Sequence, residues 1–421
     1  MKLPLRKTVA KYRRARRFLR EPISARSRYG LDWTNFFISD VQTSFGSFVA
    51  FYLAGLQWSK PDVGLVLTIG GLAAVVSLIP GGALADEIAH KRLLIACGII
   101  SLAGAALVYA LAPTFHMVAL AEVLHGTTAG LIGPGIAAIS LGLVGRRAMS
   151  SRTGRNQRFQ AAGTAITAAF MGFIGSRFST TAIFFTTAAF CAPALLALSI
   201  IRPEEIDYHR ARNAKTGEHA RDVSRLFELA KNRPLLVFTA CVMLLQLADA
   251  SMLPIIGENL AVSGSGLASL YMSGLIVVPQ VVVAGLAPWA GYHSEKRGRK
   301  PLLVLAFAID AARALLLAFF SSYPVLILVQ LLNGISSSII SVLTILVIAD
   351  LTAGSGRFNL TTGVVGMVQA IAAAISTTLT GFLFAKFGTS VGFLAITGVA
   401  TAATLLLWSA LPETRPSKYL D

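Results

Sequence analysis

One short charged motif occurs twice in this chain, at positions half a chain length apart. The first copy runs from Gly82 to Arg92, and the second runs from Gly291 to Lys300, in a chain of 421 residues. Each copy is a charged interruption between two long apolar runs. A basic turn that recurs at half-length predicts two duplicated bundles of helices.

The composition places the chain in a membrane. Only 14% of its residues are charged, against about a quarter in soluble proteins, and the mean hydropathy is +0.68. A membrane-spanning helix needs roughly 20 apolar residues, and runs of that length recur along the chain. We therefore predict an all-α polytopic membrane protein. The twelve predicted spans are 31–56, 61–85, 93–112, 115–145, 157–176, 180–200, 235–257, 266–290, 301–320, 323–349, 360–385 and 388–410.

The distribution of positive charge predicts the orientation. Of the basic residues behind the net charge of +17, eleven lie between Lys2 and Arg28. If both termini lie on one side, only Lys60, Arg177 and Lys386 fall on the other, which by the positive-inside rule makes both termini cytoplasmic. We expect the basic N-terminal arm to lie near anionic lipid headgroups. We expect no nucleic-acid partner, because no aromatic-interleaved domain accompanies the charge.

The duplication extends beyond the charged motif. Asp40 in the first span corresponds to Asp249 in the seventh, and the segment 122–126 aligns with 330–334. The predicted division of the chain is a basic cytoplasmic arm (1–29), an N-terminal six-helix bundle (30–201), a cytoplasmic linker (202–233), a C-terminal six-helix bundle (234–412) and a cytoplasmic tail (413–421).

These features resemble the major facilitator superfamily over residues 30–412. Its motif after the second span reads Gly, three residues, Asp, Arg/Lys, any residue, Gly, any residue, then two basic residues. The first copy departs from it at Glu87 and Ala89, and the second copy matches better. The resemblance implies a gating role in which the motif holds the two halves together in an outward-facing state. The residues to which it assigns this role are Gly82, Asp86, Lys91, Arg92, Gly291, Glu295, Lys296, Gly298, Arg299 and Lys300.

Two family motifs are altered in this sequence. The fourth span commonly carries an arginine followed three residues later by Gln-Gly, and here those positions hold Glu122, His125 and Gly126. The glycine-proline signature of many drug antiporters is missing, since 161–176 contains no proline. Neither an arginine-based proton relay nor a drug-antiporter assignment follows from the resemblance.

Polar residues inside the spans are the candidates for solute or proton binding. A charged side chain in hydrocarbon costs about 2.5–3.5 kcal/mol on insertion scales, so it needs a partner, water or a function. Asp40 lies near the middle of the first span, and Pro254 is expected to break the seventh span beyond Asp249. The resembled fold lines its central cavity with spans 1, 4, 7 and 10. The candidates are Asn35, Asp40, Gln42, Glu122, His125, Gln246, Asp249, Gln330 and Asn333.

Each candidate also has a structural interpretation. Asp40 and Asp249 can instead be carboxylates that bond neighbouring helices. Glu122 and His125 share a helix face, so they can carry a proton or form a structural hydrogen-bonded pair. Gln330 and Asn333 can serve packing between helices. We interpret Asp310 and Arg313 as a self-neutralising pair on a peripheral span.

The sequence favours a secondary active transporter that moves a small organic solute by alternating access. A cationic or neutral solute, proton coupling and export are favoured; uptake by symport, uniport and a non-transporting sensor are the alternatives. We expect neither catalysis nor a cofactor or metal, and no P-loop indicates direct use of ATP. The expected partners are the solute, protons and membrane lipids, and the expected form is a monomer in a bacterial inner membrane.

Overall fold

The computed structural model describes residues 24–58, 60–177, 180–211, 231–253, 255–256 and 268–415. These residues form helices joined by short turns. Nine of the described helices are long and apolar enough to cross a membrane. The helices are α1 (Ala25–Gly55), α2 (Lys60–Glu87), α3 (Lys91–Leu111), α4 (Phe115–Arg177), α5 (Thr180–Ile200), the short α6 (Tyr208–Ala211), α7 (Arg233–Asp249), α8 (Ala268–Arg297), α9 (Arg299–Phe319), α10 (Tyr323–Leu351), α11 (Phe358–Phe387) and α12 (Thr389–Ala410).

Helix α1 begins inside the segment predicted as the basic arm. The Oγ of Ser24 accepts a hydrogen bond from the backbone N–H of Ser27 at 3.2 Å. A serine in this position satisfies one of the free N–H groups at a helix start. The helix therefore starts at Ala25, six residues before the apolar run, and residues 1–23 lie outside the described part of the chain.

Helix α4 continues through a segment that the hydropathy pattern assigns to a loop. Residues 146–156 are helical, and the axis breaks at Gly145, whose φ of 66° favours glycine. The polar side chains of this segment have partners: Arg152 bonds Asp32 of α1, and Asn156 bonds Ser140. Hydrophobicity alone therefore underestimates the length of the helix after the break.

Helix α7 ends at Asp249, and residues 250–251 form a turn before helical structure resumes at 252. The break thus lies a few residues before Pro254, which is itself outside the described residues. The surface helix predicted within 219–230 also lies outside them.

Small residues let the helices approach closely. A Cβ at Gly130 of α4 would overlap the carbonyl oxygen of Ser77 on α2, and one at Gly163 would overlap that of Phe36 on α1. Membrane helices use such small residues because packing and polar contacts, not hydrophobicity, hold them together in lipid. An apolar cluster also joins the two halves of the chain. It contains Leu141 and Met149 of α4 together with Leu346 of α10.

We predict that Gly130→Ala destabilises the protein, because the added methyl would overlap the backbone carbonyl group of Ser77. Overpacking of this kind costs about 1–3 kcal/mol. The matched control is Gly71→Ala on α2, where a Cβ meets no atom within 4 Å. Thermal unfolding of the purified protein in detergent should show a lower Tm for Gly130→Ala and an unchanged or raised Tm for the control. Equal melting temperatures would contradict the described approach of α2 to α4.

Candidate functional site: a central cavity with an acidic chamber

A cavity lies between the helices of the two halves and consists of two adjoining chambers. The first, which we call the acidic chamber, has a volume of about 330 Å³ and is lined mainly by α7 and α10, with Asp310 of α9. The second, the amide chamber, has a volume of about 240 Å³ and is lined mainly by α4 and α11. Gln157, Thr344, Ile345 and Gln369 line both chambers and mark the passage between them.

Two carboxylates, those of Asp249 and Asp310, line the acidic chamber, and the buried Arg313 bonds both. Nη1 of Arg313 donates to Oδ1 of Asp249 across the α7–α9 interface, and also to Oδ1 of Asp310 at 3.2 Å. The side chain of Asp249 is 36% exposed, whereas those of Asp310 and Arg313 are 3% and 1% exposed. With every group ionised, the triad carries one negative charge in excess, and Asp249 is the member that a solute can reach.

Glutamine side chains supply neutral hydrogen-bonding groups around these two carboxylates. Gln157 of α4, Gln246 of α7 and Gln369 of α11 all line the acidic chamber. None of their side-chain amides bonds another residue within the described part of the chain. Each amide offers both donors and an acceptor to the cavity. Hydroxyl side chains of α10, such as Ser341 and Thr344, and apolar side chains, such as Val242 and Ile340, form the rest of the lining.

A hydrogen-bonded network between α1 and α4 lies next to the amide chamber. Asp32 of α1 is fully buried and receives hydrogen bonds from Arg152 and Arg155 of α4. Nε of Arg152 donates to Oδ1 of Asn156 at 2.7 Å, and Asn35 donates to the same oxygen at 3.4 Å. Asn35 and Asn156 therefore reach the chamber with their orientation fixed by a buried ion pair.

Of the nine predicted binding residues, the structure places three on the cavity wall. Asn35 lines the amide chamber, and Gln246 and Asp249 line the acidic chamber. Asp40 and Gln42 belong to α1, but their side chains lie outside the described part of the structure.

Glu122 and His125 lie apart from both chambers. The hydroxyl of Tyr109 on α3 donates to Oε1 of Glu122 at 2.5 Å, and Gly70 of α2 leaves the space that the carboxylate occupies. Nδ1 of His125 is 4.0 Å from the other carboxylate oxygen. Glu122 thus bonds α3 to α4 and packs against α2.

Gln330 and Asn333 of α10 line neither chamber. Gln330 is fully buried, and Oδ1 of Asn333 accepts a hydrogen bond from the hydroxyl of Ser337 at 3.0 Å. The face of α10 that reaches the acidic chamber lies further along the helix and includes Ser336, Ser341 and Thr344.

Sequence reasoning missed the role of Asp310 and Arg313. Their spacing of three residues suggested a pair that neutralises itself, and the pair indeed bonds within α9. The charges inside the predicted spans did contain a signal. Asp249 needs a positive partner in hydrocarbon, and Arg313 lies at a similar depth in its span. Gln157 and Gln369 carried no comparable signal, because uncharged amides are common in membrane helices.

The first copy of the repeated motif contacts the opposite half of the chain. Asp86 of α2 accepts hydrogen bonds from the backbone N–H groups of Asn359 and Leu360, at 3.2 and 2.8 Å, and from the side chain of Asn359 at 2.8 Å. A carboxylate at a helix N-terminus compensates its free N–H groups and the positive end of its dipole. Gly82 lets the backbones of α2 and α11 touch beside this bond.

The basic residues of the first copy bond within their own half. Nζ of Lys91 donates to the carbonyl oxygen of Ala85 and lies 5.0 Å from the ring centre of Tyr208. Arg92 donates to the carbonyl oxygen of Ser199 on α5 at 3.3 Å. These bonds anchor the turn that carries Asp86.

The second copy of the motif forms an ionic cluster at the same end of the helices. Arg299 donates to Glu295 at 2.8 Å, to Asp350 of α10 at 3.2 Å and to Ser294 at 2.7 Å. Arg146 of α4 approaches Asp350 to 3.9 Å from the other half. Glu295, the carboxylate of this copy, therefore bonds within the C-terminal half. The contact between the halves is the adjacent pair of Arg146 and Asp350.

Backbone contacts involve the glycines of the second copy. A Cβ at Gly291 of α8 would overlap the carbonyl oxygen of Ser150 on α4. Gly298 has a φ of +96° between α8 and α9, and Lys296 lies 4.4 Å from the ring centre of Tyr292. The α4–α8 and α2–α11 contacts join the two halves of the chain beside the two copies of the motif.

The segments that follow α5 and α12 each hold one copy of the motif. After α5, the hydroxyl of Tyr208 donates to the carbonyl oxygen of Glu87 at 3.0 Å. After α12, the carboxylate of Glu413 accepts the backbone N–H groups of Arg299 and Lys300, and Arg415 donates to the carbonyl oxygen of Glu295 at 3.1 Å. The two turns are thus held in place by equivalent parts of the duplicated chain.

Comparisons with known proteins agree with this architecture. The family model of the Major Facilitator Superfamily matches residues 31–309 and 250–420. A Mycobacterium tuberculosis protein described as an uncharacterized MFS-type transporter, Rv2456c in strain H37Rv, is 34% identical over 387 residues, covering 91% of this chain and 93% of its own length.

Solved structures show a similar fold at low sequence identity. The Escherichia coli fucose:proton symporter FucP superimposes with a TM-score of 0.73 at 15% identity, covering 92% of this chain and 98% of that one. The human organic anion transporter MFSD10 gives a TM-score of 0.66 at 15% identity, covering 91% and 100%. The chain is therefore an integral membrane protein that belongs to the Major Facilitator Superfamily.

Proposed function

We propose that this protein is a proton-coupled secondary active transporter of a small organic solute that is cationic or neutral. In this proposal twelve spans form two bundles in a bacterial inner membrane, with both termini in the cytoplasm. The observation that carries the proposal is the acidic chamber, in which Asp249 faces the cavity while bonded to Arg313.

The charge of the cavity wall supports a preference for cations. The triad of Asp249, Asp310 and Arg313 has one negative charge in excess, and it lies between apolar helices where a charge is only weakly screened. An anionic solute would enter against this charge. The amides of Gln157, Gln246 and Gln369, which bond no other side chain or backbone group among the described residues, fit polar groups of a neutral or cationic solute.

The sharing of Arg313 suggests how a proton and a solute are coupled. When a proton or a cationic group binds Asp249, Arg313 keeps Asp310 as its partner, so no charge is left unpaired in the interior. When the proton or the cationic group leaves Asp249, Arg313 bonds Asp249 again. The buried Asp310 thereby keeps Arg313 neutralised in both steps, which matters because stranding a buried charge costs about 3–5 kcal/mol.

The contacts of the repeated motif support alternating access. The bond of Asp86 to the start of α11 and the α4–α8 glycine contact close the end of the cavity that we assign to the cytoplasm. Opening to that side requires both contacts to break, so this conformation corresponds to an outward-facing state. Rocking of one bundle against the other around a fixed site is the expected movement. Export is favoured, because apolar side chains form much of the lining of both chambers beside the carboxylates, amides and hydroxyls.

The first test is proton movement in proteoliposomes that contain a pH-sensitive dye, on addition of a panel of cationic, neutral and anionic compounds. Asp249→Asn should abolish compound-dependent proton movement, because it removes the accessible carboxylate while Arg313 keeps Asp310. The control Glu204→Gln removes the same charge from an exposed site after α5 and should behave as wild type. Solute movement without protons in wild type would contradict coupling, and a lack of response to every compound would favour a non-transporting sensor.

A second test addresses the sharing of Arg313. Asp310→Asn leaves the same net charge as Asp249→Asn, but Asp249 becomes the remaining partner of Arg313. We predict at least a tenfold loss of affinity for a cationic compound, about 1.4 kcal/mol, measured by equilibrium binding in detergent. If Asp310→Asn binds the compound as wild type does while Asp249→Asn loses affinity, Asp249 is still the binding residue. That result would contradict the proposal that Arg313 changes its partner from Asp249 to Asp310.

A third test addresses the closed end of the cavity. Asp86→Asn keeps the shape of the side chain but removes the charge that compensates the N-terminus of α11, so we predict a shift toward the open cytoplasmic state. Spin labels at Ala89 and Ala353, in a background without the native cysteines, should report longer distances by electron–electron resonance. Glu87→Gln, which removes an exposed neighbouring charge, is the control. An unchanged distance distribution in Asp86→Asn would show that the glycine contacts alone keep this end closed.

A further inference from the structure

The outer surface of α1 and α4 carries a patch of arginine and aromatic side chains that lies apart from the cavity wall. It consists of Arg28, Tyr29 and Trp33 on α1, and Arg155 and Phe159 on α4. We call it the Arg–aromatic patch. Tyr29 is 51% exposed and Trp33 is 45% exposed, and the side chain of Arg155 is 37% exposed.

The charges at this patch are not balanced. Arg152 and Arg155 both bond the single carboxylate of Asp32, and Arg28 lies one turn before Asp32 on the same face of α1. Among the described residues, the carboxylate of Glu205 accepts a hydrogen bond from Ser24, at the start of α1, and pairs with Arg202 at 3.7 Å. A positive charge therefore remains at the surface, beside the exposed part of Arg155.

The bonds to Asp32 do not use every donor group of Arg155. Its Nε and Nη2 donate to Asp32, and no residue of the described chain accepts a bond from its Nη1. The guanidinium also lies 5.6 Å from the ring centre of Phe159, which holds it along the surface of α4. The planar fork of an arginine suits a phosphate oxygen.

The aromatic residues follow the polarity gradient of a membrane interface. Arg28 and Tyr29 lie near the start of α1, Trp33 lies one turn deeper, and Phe36 and Phe37 lie another turn on. Trp33 contacts Phe36 and Phe37 at ring-centre distances of 5.3 and 5.9 Å and also contacts Phe159 at 6.1 Å. Tyrosine and tryptophan favour the headgroup level of a bilayer, and phenylalanine suits the hydrocarbon beneath it.

We propose that the Arg–aromatic patch is a binding site for an anionic phospholipid. The phosphate lies between Arg28 and Arg155, the glycerol region lies against Tyr29 and Trp33, and one acyl chain runs along Phe36 and Phe37. Because Arg155 bonds Asp32, and Arg152 connects Asp32 to Asn156, the bound headgroup contacts the network that orients the amide chamber. The proposal does not depend on the transported solute or on proton coupling.

The test uses fluorescence quenching by brominated lipids in nanodiscs that contain the full chain. In one protein Trp33 is the only tryptophan, and in a control protein the only one is Trp408, which is 63% exposed on α12. The bilayers are phosphatidylcholine with an increasing fraction of brominated phosphatidylglycerol, compared with the same fraction of brominated phosphatidylcholine. We expect the anionic lipid to quench Trp33 at least twofold more than the neutral lipid, and to quench Trp408 equally with both.

Two substitutions then distinguish binding at this patch from the general attraction of a basic protein to a negatively charged bilayer. Arg155→Gln should remove the excess quenching of Trp33, while Asp32 keeps Arg152 as its partner and the fold is checked by its melting temperature. Arg297→Gln removes an exposed positive charge at the end of α8 and should leave the excess unchanged. Equal quenching of Trp33 by both lipids, an excess that persists in Arg155→Gln, or an equal loss in Arg297→Gln would each overturn the proposal.

Discussion

The structure depends on the rule that a charged side chain buried among helices needs a bonded partner of opposite charge. The two halves of the chain meet this rule with opposite imbalances. In the C-terminal half, Asp249 and Asp310 share Arg313. In the N-terminal half, Arg152 and Arg155 share Asp32. Each arrangement leaves one charge in excess, and in each case one of the two like-charged residues is exposed: Asp249 to the cavity and Arg155 to the outer surface.

Close backbone contact is the second constraint, and it determines where the two halves meet. Gly82 and Gly363 bring α2 against α11, and Gly154 and Gly291 bring α4 against α8. A larger side chain at any of these positions would collide with backbone atoms of the facing helix. Because the ionic contacts of Asp86 and Arg299 lie beside these glycines, packing and electrostatics act at the same end of the molecule.

The sequence predicted the membrane class and the family because apolar runs and a repeated motif are long-range signals that single contacts do not alter. Helix ends were predicted less well: α4 extends through 146–156 because Arg152 and Asn156 have partners on other segments, which hydropathy does not encode. Among the site residues, Asp249 was predicted from its charge and its counterpart in the first half. Asp310 was set aside because its spacing from Arg313 explained it locally, and only the fold brings α7 and α9 together. The amides of Gln157 and Gln369 could not be distinguished from those that serve packing.

One side chain joins three parts of the chain that are far apart in sequence. The amide of Asn359 donates to Asp86 of α2 and to the carbonyl oxygen of Ala211, which lies in the segment that connects the two halves. Any movement that separates α2 from α11 therefore also disturbs the anchoring of that connecting segment. By thermodynamic reciprocity, a ligand or modification that holds the segment in place would favour the closed conformation by the same free energy that closure contributes to holding the segment. The contact between α2 and α11 and the anchoring of the connecting segment therefore share one residue, Asn359.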